Sequence, residues 1–104
     1  MSWVVLIVAG LFETVWALAL KASHGFSELG PTVLFVVTLV ISMILLAIAL
    51  RELPVGTGYA VWTGTGAVGA AIGGMVLFGD PAVAGRILPI GLIAAGIVWL
   101  ALAE

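Results

Sequence analysis

Glu13 stands alone as a charge inside a continuous apolar run, Trp3 to Leu20, whose only other polar side chain besides the indole rings is Thr14. A carboxylate in the middle of a bilayer costs on the order of 2.5–3.5 kcal/mol on insertion scales, and it normally faces a cavity or a partner. The chemistry open to it is to hold and release a proton or a cation. At three- and four-residue spacing Leu6, Ala9, Gly10, Glu13, Trp16, Ala17 and Leu20 share one helical stripe. Gly10 and Ala17 leave room beside the acid, and Trp16 adds a flat wall and one N–H donor. Three further residues suit the same task. Ser42 is the most central polar group of the second apolar run, and Tyr59 and Trp62 lie one turn apart on the third. They bring hydroxyls, an indole N–H and ring faces that suit a cation.

The elements that must position these groups are four apolar runs, about 3–20, 32–50, 57–78 and 84–103. At about 1.5 Å per residue each crosses, or nearly crosses, a hydrocarbon core of about 30 Å. The expected fold is all-α, four transmembrane helices in a single domain over 1–104, with antiparallel neighbours because the linkers are short. Lys21 to Phe26 marks the exit of the first helix, and Glu28, Gly30 and Pro31 complete the first loop. Pro54 and Gly56 make the second reversal, and Gly79-Asp80-Pro81 the third. The first run lacks a basic leading segment and more spans follow it, so it is expected to stay in place as a helix. Continuous rather than alternating polarity excludes a β-barrel.

Composition narrows the function further. The chain of 104 residues is 64% hydrophobic and 8% charged, with a formal net charge of -2. Lys21, Arg51 and Arg86 are its only formal cations, too few for nucleic acid. There is no cysteine, and a single histidine, His24, makes no ligand cluster, so no metal and no cofactor is implied. No nucleophile or phosphate-cradling loop supports an enzyme.

The third run is crowded with small residues. Gly66, Ala70 and Gly74 repeat every four positions and permit close helix contact. Gly64 and Gly66 flank Thr65, weakening the helix and offering a bend point. Lys21 and Arg86 fall on one side of the membrane and Arg51 on the other, two against one. That count leaves open a uniformly oriented chain and one inserted both ways, which would form an antiparallel dimer. Four helices enclose little space, so a two-sided pathway calls for a second copy. No opposing cation lies in mid-membrane, so a proton or a cationic substrate from outside neutralises Glu13, and the two compete. In a dimer two such acids would titrate as a coupled pair.

Along its whole length the chain resembles the small multidrug resistance family. The residues that carry the resemblance are Gly10-Leu11-Phe12-Glu13, Lys21 with Ser23 and Gly25-Phe26, and Pro54-Val55-Gly56-Thr57-Gly58-Tyr59-Ala60-Val61-Trp62. The family's members are antiparallel, dual-topology homodimers that exchange protons for cations, and the resemblance implies the same here, in a bacterial-type inner membrane. Its guanidinium-exporting branch carries a tryptophan one turn after the glutamate, where the polyaromatic-cation branch usually has glycine. Trp16 matches the former, and Gly10, Ser42, Tyr59 and Trp62 stand at the other positions that line that site. On the fourth helix, multidrug members place two glycines seven apart at the dimer seam. Gly96 matches the second, whereas Pro89 stands at the first with Gly91 nearby. The resemblance therefore implies a proton-coupled antiporter for guanidinium and related small cations. A multidrug antiporter for bulky quaternary ammonium or aromatic cations is the nearest rival. Of another class are a small dual-topology ion channel and a proton-carrying ring subunit of a rotary ATPase.

Overall fold

Four helices account for most of the chain in a computed structural model, which describes residues 1–103; Glu104 lies outside the described residues. They are α1 (Ser2–Ala22), α2 (Leu29–Ala49), α3 (Val55–Leu77) and α4 (Ala84–Ala103). All four are long and apolar enough to cross a membrane. Two boundaries differ from expectation because of proline. Pro31 and Gly30 lie in the first turn of α2 rather than in the loop, since the first helical N–H groups have no intrahelical acceptor and proline loses nothing there. Pro54 likewise caps α3, and Gly56 lies inside that helix. Pro89 sits inside α4, whose helix continues through it.

The first loop turns on three consecutive left-handed residues, His24 (φ 49), Gly25 (φ 72) and Phe26 (φ 69). Only Gly25 adopts that conformation without steric cost. Ser23, fully buried, holds the turn: its hydroxyl donates to the Leu20 carbonyl at 2.7 Å and accepts the Phe26 N–H at 3.1 Å. His24 Nδ1 lies 2.8 Å from Glu28 Oε2 across the same loop. At the opposite face of the membrane, Ser2 Oγ donates to Glu52 Oε1 at 2.6 Å, tying the start of α1 to the α2–α3 loop.

α1 is the hub, packing along both α2 and α3, while α4 packs on α3. The result is a slab of 40 × 34 × 17 Å. The packed core comprises Leu6 and Ala9 of α1, Leu46 and Ala49 of α2, and Val61 and Trp62 of α3. α2 turns a stripe of Thr38, Ser42, Leu46 and Ala49 inward, at four- and three-residue spacing. α4 buries no residue fully, and most of the chain's large apolar side chains face outward, as hydrocarbon solvent requires.

Candidate functional site

Small residues on α3 let α1 approach closely, and the acid sits in that seam. A Cβ on Gly10 would fall 2.6 Å from Thr65 Cβ. One on Gly66 would collide with the Glu13 carboxylate, one on Gly69 with the Thr14 hydroxyl, and one on Gly73 would lie 2.6 Å from Leu18 Cδ1. The α3 surface that receives α1 is thus Gly66, Gly69 and Gly73. Gly74, one of the residues expected from the four-residue repeat, packs instead against the Asp80 side chain at the α3 terminus. Thr14 reinforces the seam: its hydroxyl lies within hydrogen-bond reach of the Gly10 carbonyl (3.3 Å) on its own helix and the Gly66 carbonyl (3.4 Å) across it.

Glu13 is half-buried, and its Oε1 is buried without a hydrogen-bond partner among the described residues. Among the described residues it is the one carboxylate inside a helix, since Glu28, Glu52 and Asp80 lie at helix ends or in loops. The basic side chains stay near helix ends or in loops as well: Lys21 in the last turn of α1, Arg51 after α2, and Arg86 in the first turn of α4. A buried carboxylate oxygen with no donor is costly, by about 1–3 kcal/mol or more. That oxygen is packed against Gly66 of α3.

Ser42 and Trp62 pair with each other rather than with the acid. The Trp62 indole N–H donates to Ser42 Oγ at 2.9 Å, and the Ser42 hydroxyl donates to the Ala9 carbonyl at 2.7 Å, all of it buried. That network joins α1, α2 and α3 one turn from Glu13. Ser42→Ala leaves the buried Trp62 N–H without its acceptor and removes the bond to the Ala9 carbonyl, which keeps its own helical partner; hydrogen bonds between membrane helices reach about 1–2 kcal/mol. The Ser42→Ala protein is expected to be destabilised by that amount in detergent unfolding titrations, whereas Ser42→Thr, which keeps the hydroxyl, retains most of the stability.

Tyr59 is 56% exposed and tilts its ring against Trp62, with centroids 5.4 Å apart. Trp16 has its indole N–H buried without an acceptor and meets the edge of Phe35 on α2, centroids 5.8 Å apart at 79°. On α1 the stripe ends at Ala19, which is buried, whereas Leu20 is exposed. α3 runs unbroken through Gly64 and Gly66, and the two glycines face different helices: Gly64 meets Ile97 and Ile93 of α4, and Gly66 meets α1. Gly96 belongs to a separate place, a groove between α3 and α4 lined by Ala60, Gly64, Ile93, Ile97 and Leu100, where nothing lies within 4 Å of an added Cβ. Sequence reasoning passed over Phe35 and gave Thr14 and Gly69 no part. Phe35 carried a signal, since it stands seven residues before Ser42 on the same face of α2.

Residues 1–93 match the family model described as Small Multidrug Resistance protein. The guanidinium exporter of Salmonella typhimurium is 56% identical over 102 residues, covering 98% of this chain and 97% of the relative. That of Yersinia pseudotuberculosis is 55% identical over 104 residues, covering both chains in full. The guanidinium exporter of Citrobacter freundii is 54% identical over 102 residues, 98% of this chain and 97% of its own. With four membrane-length helices and relatives of this kind, the chain is a multi-pass transport protein of the bacterial inner membrane and belongs to the small multidrug resistance family.

Proposed function

We propose that the protein, a single four-helix domain, works as an antiparallel homodimer that exports guanidinium and small related cations in exchange for protons. The observation that carries this reading is the buried, unpartnered Oε1 of Glu13 at the α1–α3 seam, together with relatives named guanidinium exporters. Guanidinium is planar, weakly hydrated, and matches a carboxylate with paired hydrogen bonds. Glu13 of each copy takes a proton in one loaded state and shares the cation in the other, so the two ligands compete for the same oxygens. In this reading Trp16 borders the acid, Gly10 lets Thr65 of α3 close in one turn from it, and Ser42, Tyr59 and Trp62 form the far wall.

Two features support a second copy. One copy leaves Glu13 only half-buried, and α4 leaves its Gly96 face open beside the α3 groove. Two features support opposite orientations of the copies. Lys21 and Arg86 oppose Arg51 across the membrane, a bias too small to fix one topology. An antiparallel pair also makes the two openings of the pathway equivalent, so one rearrangement that exchanges the subunits' conformations switches access. Only loaded states rearrange, since an unloaded switch would leak. Gly64 and Gly66, flanking Thr65 near the middle of α3, are the positions at which such a bend would form.

Side-by-side proton release in weakly buffered detergent tests the reading. Guanidinium is expected to displace protons from the purified protein, and tetraphenylphosphonium to displace few or none. Release by the bulky cation alone would make the protein a multidrug exporter. Ion flux in liposomes with no pH coupling would make it a channel.

A further inference from the structure

The two tryptophans of the candidate site are held in different ways. Trp62 is pinned by a hydrogen bond from its indole N–H to Ser42. Trp16 has no such anchor, because its N–H is buried without an acceptor. An indole without its polar tether takes its orientation from packing alone. The ring packed on it is Phe35, which meets it nearly at right angles, 5.8 Å between centroids. Phe35 is in turn backed by Phe26 of the α1–α2 loop, 5.5 Å away at 57°. Phe26 itself is fixed in a left-handed turn by its N–H bond to Ser23. A line of three rings thus runs from the membrane surface to the indole one turn from Glu13.

We infer that Phe35 is a positioning residue that sets the size limit of the cation site by holding the Trp16 ring edge-on beside Glu13. The inference rests on the reading above, in which Trp16 borders the cation. The indole also packs against the core cluster; without the Phe35 ring it keeps that contact but can tilt away from the acid, and the space it vacates admits a wider cation. Trp62 and Tyr59 do not respond, because Trp62 is anchored by Ser42, two turns along α2 from Phe35.

The test compares guanidinium with tetrapropylammonium in proton-release titrations of four purified proteins: wild type, Phe35→Leu, Trp16→Gly and the double variant. Phe35→Leu is expected to raise the apparent affinity for tetrapropylammonium relative to guanidinium about tenfold, the scale on which pockets discriminate by shape. Trp16→Gly is expected to raise the same ratio at least as far, and the double variant to match Trp16→Gly alone. Phe35→Tyr keeps the ring edge and is expected to keep the wild-type ratio. An unchanged ratio in Phe35→Leu beside a raised one in Trp16→Gly overturns the inference and leaves the site reading standing. So does a Phe35→Leu effect that persists undiminished in the Trp16→Gly background, since Phe35 then acts without Trp16. An unchanged ratio in Trp16→Gly removes Trp16 from the site and the inference with it. If the leucine variant does not purify as a monodisperse protein, Phe35→Met, of similar volume and without the ring, carries the same comparison.

Discussion

Glu13→Gln is expected to abolish guanidinium-driven proton release and to lower guanidinium affinity by at least about 100-fold. Glutamine has nearly the volume of glutamate, so it keeps the contact with Gly66 and the close approach of α1 to α3. What it loses is the charge and the exchangeable proton. Hydrogen bonds to a charged partner contribute about 1.5–3 kcal/mol each, and a bidentate guanidinium–carboxylate pair has two. Their loss corresponds to a factor of 10² or more. Binding is read by titration calorimetry, proton release in weak buffer, and assembly by size-exclusion chromatography. The assembly is expected to be unchanged, because among the described residues Glu13 makes no ion pair and its Oε1 no hydrogen bond that would hold the fold. Substrate-driven proton release that survives in the glutamine variant would remove Glu13 from the mechanism altogether.

How far the sequence carried the structure depended on the range of the interaction involved. Each helix is announced locally, by about twenty apolar residues between turn residues, and the four spans follow from that alone. The missed boundaries are also local but subtler: Pro31 and Pro54 look like breakers, yet at a helix start proline satisfies the geometry. Glu13 was legible because a carboxylate in hydrocarbon is conspicuous whatever surrounds it. Its surroundings were less legible, because they come from three helices at once. Ser42 and Trp62 belong beside the acid by position, but their polar groups serve each other and the Ala9 carbonyl. That pairing depends on the rotation of α2 and α3 about their own axes. No periodicity fixes those rotations in a membrane, where every face of a helix is apolar. The α3 glycines teach the same lesson. A repeat of four selected Gly66, Ala70 and Gly74, whereas α1 lies along Gly66, Gly69 and Gly73, a line inclined differently across the same helix.

That inclined line makes the second large effect specific. Gly66→Ala is expected to lower guanidinium affinity about tenfold to 100-fold, although alanine favours helix formation. The added methyl would occupy the space of the Glu13 carboxylate and its Cγ, so either the acid leaves its position or α1 moves off α3. Overpacking of this kind costs about 1–3 kcal/mol, whereas the gain in helix propensity is about 1 kcal/mol at most. The steric term wins, and it falls on the acid itself. Gly56→Ala provides the control, because nothing lies within 4 Å of its added Cβ and only the propensity gain remains. Gly69→Ala separates seam from site: its methyl meets the Thr14 hydroxyl instead of the carboxylate, so it should destabilise the α1–α3 contact with a smaller loss of binding. If Gly66→Ala bound guanidinium like the wild type, Glu13 could not be using this seam when it holds its cation.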